Sequence, residues 1–542
     1  MGQRFTHWNC RNDTVPQNTD HLKALLLANR AFQPVGKLEY GNHGLAAAEE
    51  AILQALQTNQ RIALYADYDV DGTMSCICWI WFLKAIGYTN YTHYIPCRFR
   101  EGYGLNMEAI RHLIETEKVQ VILTMDTGIT ANAEAAYCRE KNVRFICTDH
   151  HHIQTEKMPD CVVVNPKQHP DPNYQELCGC GITFVLLRRI ANHFPVPHEL
   201  WTDLLALTGM ATICDIVPLN SVNHKLAKTG VKALMHSRRP VLAKLREACA
   251  TLEHLDEKDV GFRLGPRINA VGRLEHADTV IEAFVGENPE SLIAQMEKAN
   301  SHRQLLQAGI VKEARESAKK QLDSPILFLG GHWHPGVVGI AASKLAEEFW
   351  RPVWLFHRSE TQCKGSARSI EGFHVTEAMS AASTLFQKFG GHQMAGGFTF
   401  DPKNEATIRQ ELIDYSISRK QSHPHLWESR VTYDCALSLD WLHLGLADAL
   451  DELRPFGNSF SEPRFCIEAD VVRADFYKDK VSGQPRHTAV TIASIKGRQK
   501  IMFFNQVITQ LSEPRRTRFI VSASRNTFRG ETSLALHGHD FE

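Results

Sequence analysis

The sequence predicts an α/β protein: two α/β lobes joined by a long helix and followed by a small β-barrel. Three observations carry that reading. Short β-branched runs alternate with amphipathic stretches up to about residue 220, a helical pattern near 290–321 runs without proline or loop residues, and beyond Pro463 short alternating segments are separated by Gly, Pro and charged turns. At 542 residues, with 43% hydrophobic and 22% charged side chains, the chain is too long for one ordinary core, so two to four domains are expected.

A polar leader occupies residues 1–40, and helical patterning spans 21–58. The first lobe covers 41–289. In it RIALYA at 61–66, VQVILTM at 119–125 and VRFICT at 143–148 are apolar runs of strand length, each followed by an acid: Asp67, Asp126 and Asp149. Open parallel sheets bind ligands at the carboxyl ends of their strands, so these three acids are expected to converge on one site. Residues 290–322 form the linking helix, 323–430 the second α/β lobe beginning with PILFLGG, and 431–462 a connector. Residues 463–542 hold FCIEADVV, HTAVTIASI, KIMFF, RFIVSAS and SLALHG, the pattern of a small all-β domain.

The chemistry concentrates in the first lobe. YADYDVDG at 65–72 sets Asp67, Asp69 and Asp71 on alternate positions where a strand ends and a Gly turn begins. Carboxylates this close repel one another, and a cation is the usual reason they are tolerated. A calcium loop is the rival for D-x-D-x-D-G, but the downstream Glu is missing and a strand precedes it. TMDTGIT follows with Asp126, then TDHHH with His150 and His151 after Asp149. A lone histidine is more often structural; an adjacent pair downstream of two other strand-end acid motifs points to a site. In ATICDIVPL, Asp215 ends an apolar helical stretch that Pro218 prevents from continuing.

These motifs resemble the DHH phosphoesterase superfamily, and the rest of the chain resembles its RecJ branch of single-stranded-DNA exonucleases. RFREGYGLN at 98–106, LGPRINAVGRL at 264–274, HPGVVGIAASKLAEEFWRPV at 334–353, KGSARS at 364–369, KFGGHQMAGGF at 388–398 and LRPFGNSFSEPRF at 453–465 fall in the order that family shows. The resemblance implies a DHH domain at 41–289, a DHHA1 domain at 323–430 and an OB-like nucleic-acid-binding domain at 463–542. It implies Asp67, Asp69, Asp126, His150 and Asp215 as metal ligands, with Asp126 bridging two ions. His151 would lie beside the scissile phosphate, and Asp149 would orient the histidine pair as carboxylates do behind ligating imidazoles. His151, Asp126 and Asp149 are thus the expected catalytic group, while Asp71 could be structural and His152 a bystander. Substrate contacts are expected from Arg267, Asn269 and Arg273 in the first lobe and from Ser366, Arg368, Ser369, Gly390, Gly391 and His392 in the second. Thr127, Ala367 and Gly396 depart from the family's usual Asn, Gly and Ala without removing a ligand.

An oxygen-rich set with imidazole suits two Mn²⁺ or Mg²⁺ ions rather than a thiolate-loving metal. The expected activity is digestion of single-stranded DNA, 5′ to 3′, to 5′-mononucleotides in repair and recombination. A DHH diesterase for oligoribonucleotides or cyclic dinucleotides would need no basic β-domain, and a silent replication scaffold would not need so many gathered carboxylates. Expected partners are single-stranded DNA and, further, a single-strand-binding protein or a helicase; a monomer without membrane attachment is expected.

Charge and cysteine usage agree. The net charge is -1, yet residues 464–542 carry 13 Lys and Arg against 8 Asp and Glu, a basic tail behind an acidic body. There Tyr477, Phe503, Phe504 and Phe528 are candidates for stacking on bases, with core packing as the other use of alternating aromatics. The 14 cysteines include C-x-C pairs at Cys76/Cys78 and Cys178/Cys180 but no pair of C-x-x-C knuckles, so buried reduced thiols are expected. No run of about 18 apolar residues occurs and MGQRFTHWNC lacks the features of a secretory signal, so the cytoplasm is the expected location.

Overall fold

The computed structural model describes residues 5–98, 101–102, 104–249, 254–479, 483–494 and 497–542; positions 99, 100 and 103 of the RFREGYGLN segment lie outside them. The chain divides into two compact units, one of residues 26–300 with 451–462, the other of 1–25, 301–450 and 463–542. The helix Pro289–Lys319 runs from one to the other.

The first unit is built on a parallel sheet in the order Tyr91–Tyr94, Ile62–Ala66, Val121–Met125, Arg144–Thr148, Val162–Val164. The chain leaves Ile62–Ala66 toward one edge and returns on its other side, so the topological switch lies between Ile62–Ala66 and Val121–Met125, where α/β sheets open a ligand crevice. Beneath it runs the helix Val70–Ala85, whose residues 70–83 are all buried. CICWIWF is apolar on every face, as a helix enclosed by sheet and helices must be. The helices Gly179–Ile190 and His198–Cys214 pack on it.

Two sequence expectations need correction here. The helical span 21–58 is two helices, Thr19–Ala28 and Leu45–Gln57, because the Pro and Gly between them interrupt the pattern. Residues 451–462, expected in a connector, belong to the first unit: Phe460 is buried against Phe32 and His224, with ring centroids 4.8 Å away in both cases, and Leu219 N–H donates to Asn458 O at 2.8 Å.

The second unit contains a mixed sheet in the order Phe386–Gly391, Ala395–Phe400, Cys363–Arg368, Val353–His357, Leu327–Gly331. It also contains the barrel, in which Phe465–Lys478 pairs with both Pro485–Ser494 and Arg516–Phe528 and so closes the sheet that runs through Gly497–Phe503 and Glu531–Phe541. The polar leader is not a loose arm throughout: His7–Cys10 adds a parallel strand to Arg430–Tyr433, and Trp8 Nε1 donates to Asp540 Oδ2 at 2.7 Å.

Candidate metal centre

Backbone register places the first three acids side by side. Asp67 N–H donates to Met125 O at 3.3 Å, Asp126 N–H to Thr148 O at 3.0 Å and Asp149 N–H to Val164 O at 3.1 Å, so each acid caps its strand one bond past the sheet. Asp126 adopts a left-handed backbone, φ +59°, uncommon outside glycine and a recurrent form of strain at functional sites. Asp69 caps the helix Val70–Ala85, accepting from Asp71 N at 2.8 Å and Gly72 N at 3.2 Å. A side chain at Gly72 would put Cβ 2.3 Å from Asp67 O, so only glycine lets the helix begin so close to the strand. Asp215 is the C-cap of His198–Cys214.

These elements bring together Asp67, Asp69 and Asp126; Asp71, His150 and Asp215; and Asp126, His150 and His151, with the ligand atoms of each group within 4.8 Å of one another. His150 Nε2 lies 3.1 Å from Asp126 Oδ1, 3.5 Å from Asp215 Oδ2 and 3.8 Å from Asp71 Oδ2. Burial pushes Asp67, Asp126 and Asp215 well above the usual carboxylate range, and their neighbours' charges push them further. Asp67 Oδ1 is buried with no hydrogen-bond donor among the described residues. A buried carboxylate oxygen without a donor, facing other acids and an imidazole, fits a hard divalent cation. The positive ends of the helices Val70–Ala85 and Gly179–Ile190 face the same group.

Asp149 stands behind. Its Oδ2 accepts from Ile129 N at 2.9 Å, and its Oδ1 from His151 N at 3.0 Å and meets His151 Nδ1 at 2.7 Å. Burial alone would raise its pKa, but the His151 hydrogen bonds and charge outweigh it and hold the acid below its ordinary value. Burial likewise works against a charged His151, and Asp149 outweighs it, lifting the imidazole above its usual range. With Nδ1 held, Nε2 is the nitrogen His151 can offer to a ligand. His152 is exposed.

Asp71 does more than the sequence indicated. It is fully buried, accepts from Gly179 N at 2.5 Å and Cys180 N at 2.8 Å, and is pushed up to about 6 by burial and by Asp69. The Cys178/Cys180 pair, which the sequence marks only as thiols, therefore begins a helix whose N–H groups bind this acid; the Gly between the two cysteines was the available signal. All 14 cysteines are free.

The segment Gly265–Leu274 backs onto the acidic loop. Asn269 Oδ1 accepts from Val70 N at 3.2 Å, and Arg267 donates to Glu297 at 2.5 Å and to Arg263 O at 2.8 Å. In the second unit, Arg368 Nη1 donates to Ser366 Oγ at 2.6 Å and its Nε to Ser343 Oγ at 3.1 Å; Arg368 is in register with Ala395, whose carbonyl accepts from exposed His392 N at 2.8 Å. Gly390 and Gly391 pair with Gly397 and Gly396 on that sheet. Ser369 turns inward, donating to Phe373 O at 2.8 Å. In the barrel Phe503 is core, whereas Tyr477, Phe504 and Phe528 are exposed. Tyr477 is in register with His487, whose ring lies 5.5 Å from Phe504, which stacks at 5.6 Å on His537.

Family models match in the same order: the DHH family N-terminal domain over residues 61–211, the DHHA1 domain over 303–417 and the RecJ OB domain over 433–540. The single-stranded-DNA-specific exonuclease RecJ of Bacillus subtilis is 33% identical over 502 residues, 91% of this chain and 61% of that protein, so this chain spans less than two thirds of its length. The protein of the same name from Haemophilus influenzae is 30% identical over 452 residues, 78% of this chain and 77% of its own. A crystal structure of exonuclease RecJ bound to manganese is 30% identical with a TM-score of 0.62, covering 70% of this chain and 96% of that one.

Proposed function

This chain belongs to the RecJ family of single-stranded-DNA-specific exonucleases, and from that premise we propose that it is a metal-dependent exonuclease digesting single-stranded DNA, 5′ to 3′, to 5′-mononucleotides in repair and recombination. The observation that carries the proposal is the convergence of Asp67, Asp69, Asp126, His150 and Asp215 at the carboxyl ends of adjacent strands. Manganese or magnesium is the cofactor this donor set suits, and the related structure bound to manganese supports the choice. Two such ions would supply Lewis acidity at the scissile phosphate and lower the pKa of water there.

The chain's own residues do the rest. Asp149 fixes the His151 ring, so that Nε2 can donate to a phosphoryl oxygen as water adds to phosphorus and the P–O3′ bond breaks, the 3′ oxygen leaving as a hydroxyl. Gly179 and Cys180 N–H groups hold Asp71, which keeps the acidic loop in place beside His150. The Arg368, Ser366 and His392 group offers charge-assisted donors to an anionic backbone. The barrel's row of Tyr477, His487, Phe504 and His537, in a domain with excess Lys and Arg, offers stacking and phosphate neutralisation without reading sequence. No helix of the described residues is long and apolar enough to cross a membrane. A cytoplasmic location, a monomeric state and a single-strand-binding protein or helicase as partner belong to the same proposal, on the family's example.

Single strands labelled at the 5′ or the 3′ end test it. Mononucleotide release from the 5′ label first, in Mn²⁺ and not in EDTA, is the expected result; an intact strand in Mn²⁺, or equal digestion in EDTA, refutes it.

A further inference from the structure

Two large apolar side chains stand in solvent, one directly after Asp215 and the other on a turn packed against the end of the helix that Asp215 caps. Ile216 directly follows Asp215, is 68% exposed, and has φ +58°. A β-branched residue in the left-handed region is a true outlier, and this one is held there from both sides: its N–H donates to Ile213 O at 3.3 Å and its carbonyl accepts from Asn458 Nδ2 at 2.8 Å. Phe262, 80% exposed, sits in the π-helical turn Val260–Leu264. That turn packs on the end of Asp215's helix, with Cys214 Sγ 3.8 Å from Val260 O and against Gly265.

Isolated exposed apolar residues are ordinary. These two are set apart by where they are and how they are held: one follows a ligand acid on strained backbone, the other lies on a π-turn, a feature that concentrates at functional sites. Both border the same helix end. The segment that follows Phe262 carries Arg263, paired with Asp259 at 3.0 Å, Arg267, paired with Glu297, and Arg273.

We propose that Phe262 and Ile216 form an apolar rim that grips one nucleotide next to the scissile phosphate, Phe262 stacking on its base and Ile216 pressing against the same nucleotide. Every base has a π-face, so the grip is indifferent to sequence. The inference rests on the exonuclease reading above. Both residues are positioning residues; neither touches the reacting atoms.

The test removes the contact from either side. Digestion by wild type, Phe262→Ala and Phe262→Tyr is measured on oligothymidylate and on strands each carrying one abasic nucleotide within three of the digested end. Phe262→Ala should raise KM on the intact strand by about 5- to 150-fold, the span of one base–aromatic stack, with kcat within about twofold. One abasic strand should cost wild type the same factor and cost Phe262→Ala nothing further, as a shared contact requires; Phe262→Tyr should restore the intact-strand KM. Ile216→Gly, which relieves the left-handed backbone, should raise the melting temperature by about 2 °C while raising KM. Losses that simply add, or unchanged KM in both Phe262→Ala and Ile216→Gly, would overturn the rim. Wild-type protein that digests no strand in Mn²⁺ would instead overturn the nuclease reading beneath it.

Discussion

Substituting Gly179 by alanine should disable the centre while every ligand residue is kept. A Cβ built there would lie 2.8 Å from Asp126 Cβ, 3.1 Å from Asp126 Cα and 3.0 Å from Asp71 Oδ2. Carbon atoms pack at about 3.5 Å or more, so the gap to Asp126 must open by roughly 0.7 Å. If the helix Gly179–Ile190 yields, the hydrogen bonds from Gly179 and Cys180 to Asp71, now 2.5 and 2.8 Å, stretch toward about 3.2 and 3.5 Å, the outer edge of useful geometry. If Asp126 yields, the proposed bridging ligand moves. A displacement near 1 Å in a catalytic constellation costs about 100-fold, so turnover at saturating Mn²⁺ should fall roughly 10- to 100-fold, and overpacking should cost about 1–3 kcal/mol of stability. Gly181→Ala on the same helix is the control, because its Cβ would be tight only against Leu177 Cδ2, at 3.2 Å, the movable end of a side chain, with Leu177 Cβ at 3.5 Å and Cys178 Sγ at 3.8 Å in ordinary contact. Initial rates on labelled single strands and thermal melts give both readouts. Gly179→Ala with turnover and melting point indistinguishable from Gly181→Ala would refute the reasoning.

Three further outcomes are expected. Asp126→Asn should lower turnover by at least about 1000-fold, the scale of metal-assisted charge stabilisation, yet raise the melting temperature in EDTA because a carboxylate disfavoured by burial and then by its acidic neighbours is gone; an EDTA melt below wild type would contradict that cost. The double replacement Arg498→Gln with Lys500→Gln, at exposed positions of Gly497–Phe503, should flatten the salt dependence of single-strand affinity by about 1.4 units of log–log slope, about 0.7 per phosphate contact on a single strand; an unchanged slope would remove that strand from the DNA path. Burial holds the His224 imidazole, hydrogen-bonded to Leu453 O at 2.9 Å, below its ordinary pKa. The unfolded chain therefore takes up this proton at higher pH than the folded one, so stability falls as pH drops through about 6.5 and levels below the folded value. The urea midpoint should decline less between pH 7.5 and 5 in His224→Gln than in wild type, and equal declines would exclude the histidine.

What could be read in advance from the residues divides along a physical line. Strand patterns announce where a strand stops, and the residue at the stop was acidic three times, so the convergence of Asp67, Asp126 and Asp149 was legible from local periodicity plus one rule about parallel sheets. Asp71 shows the limit. Its partners Gly179 and Cys180 stand 108 and 109 positions away, and nothing local marks a helix start as the one that will bind a particular carboxylate. The aromatics of the barrel fail for a related reason. Phe503 and Phe504 are adjacent and chemically identical, yet the pairing of Thr488 with Phe503 turns the first into the core and leaves the second beside His487. One step of strand register exchanges their fates. Ile216 is the reverse case: its local sequence, between Asp215 and Pro218, reads as an ordinary helix end, and only the backbone angle reveals that a β-branched side chain is being held where it is unfavourable. Local pattern therefore locates the acids, long-range pairing decides which neighbours support them, and backbone strain marks where the fold gives up stability to keep a side chain in place.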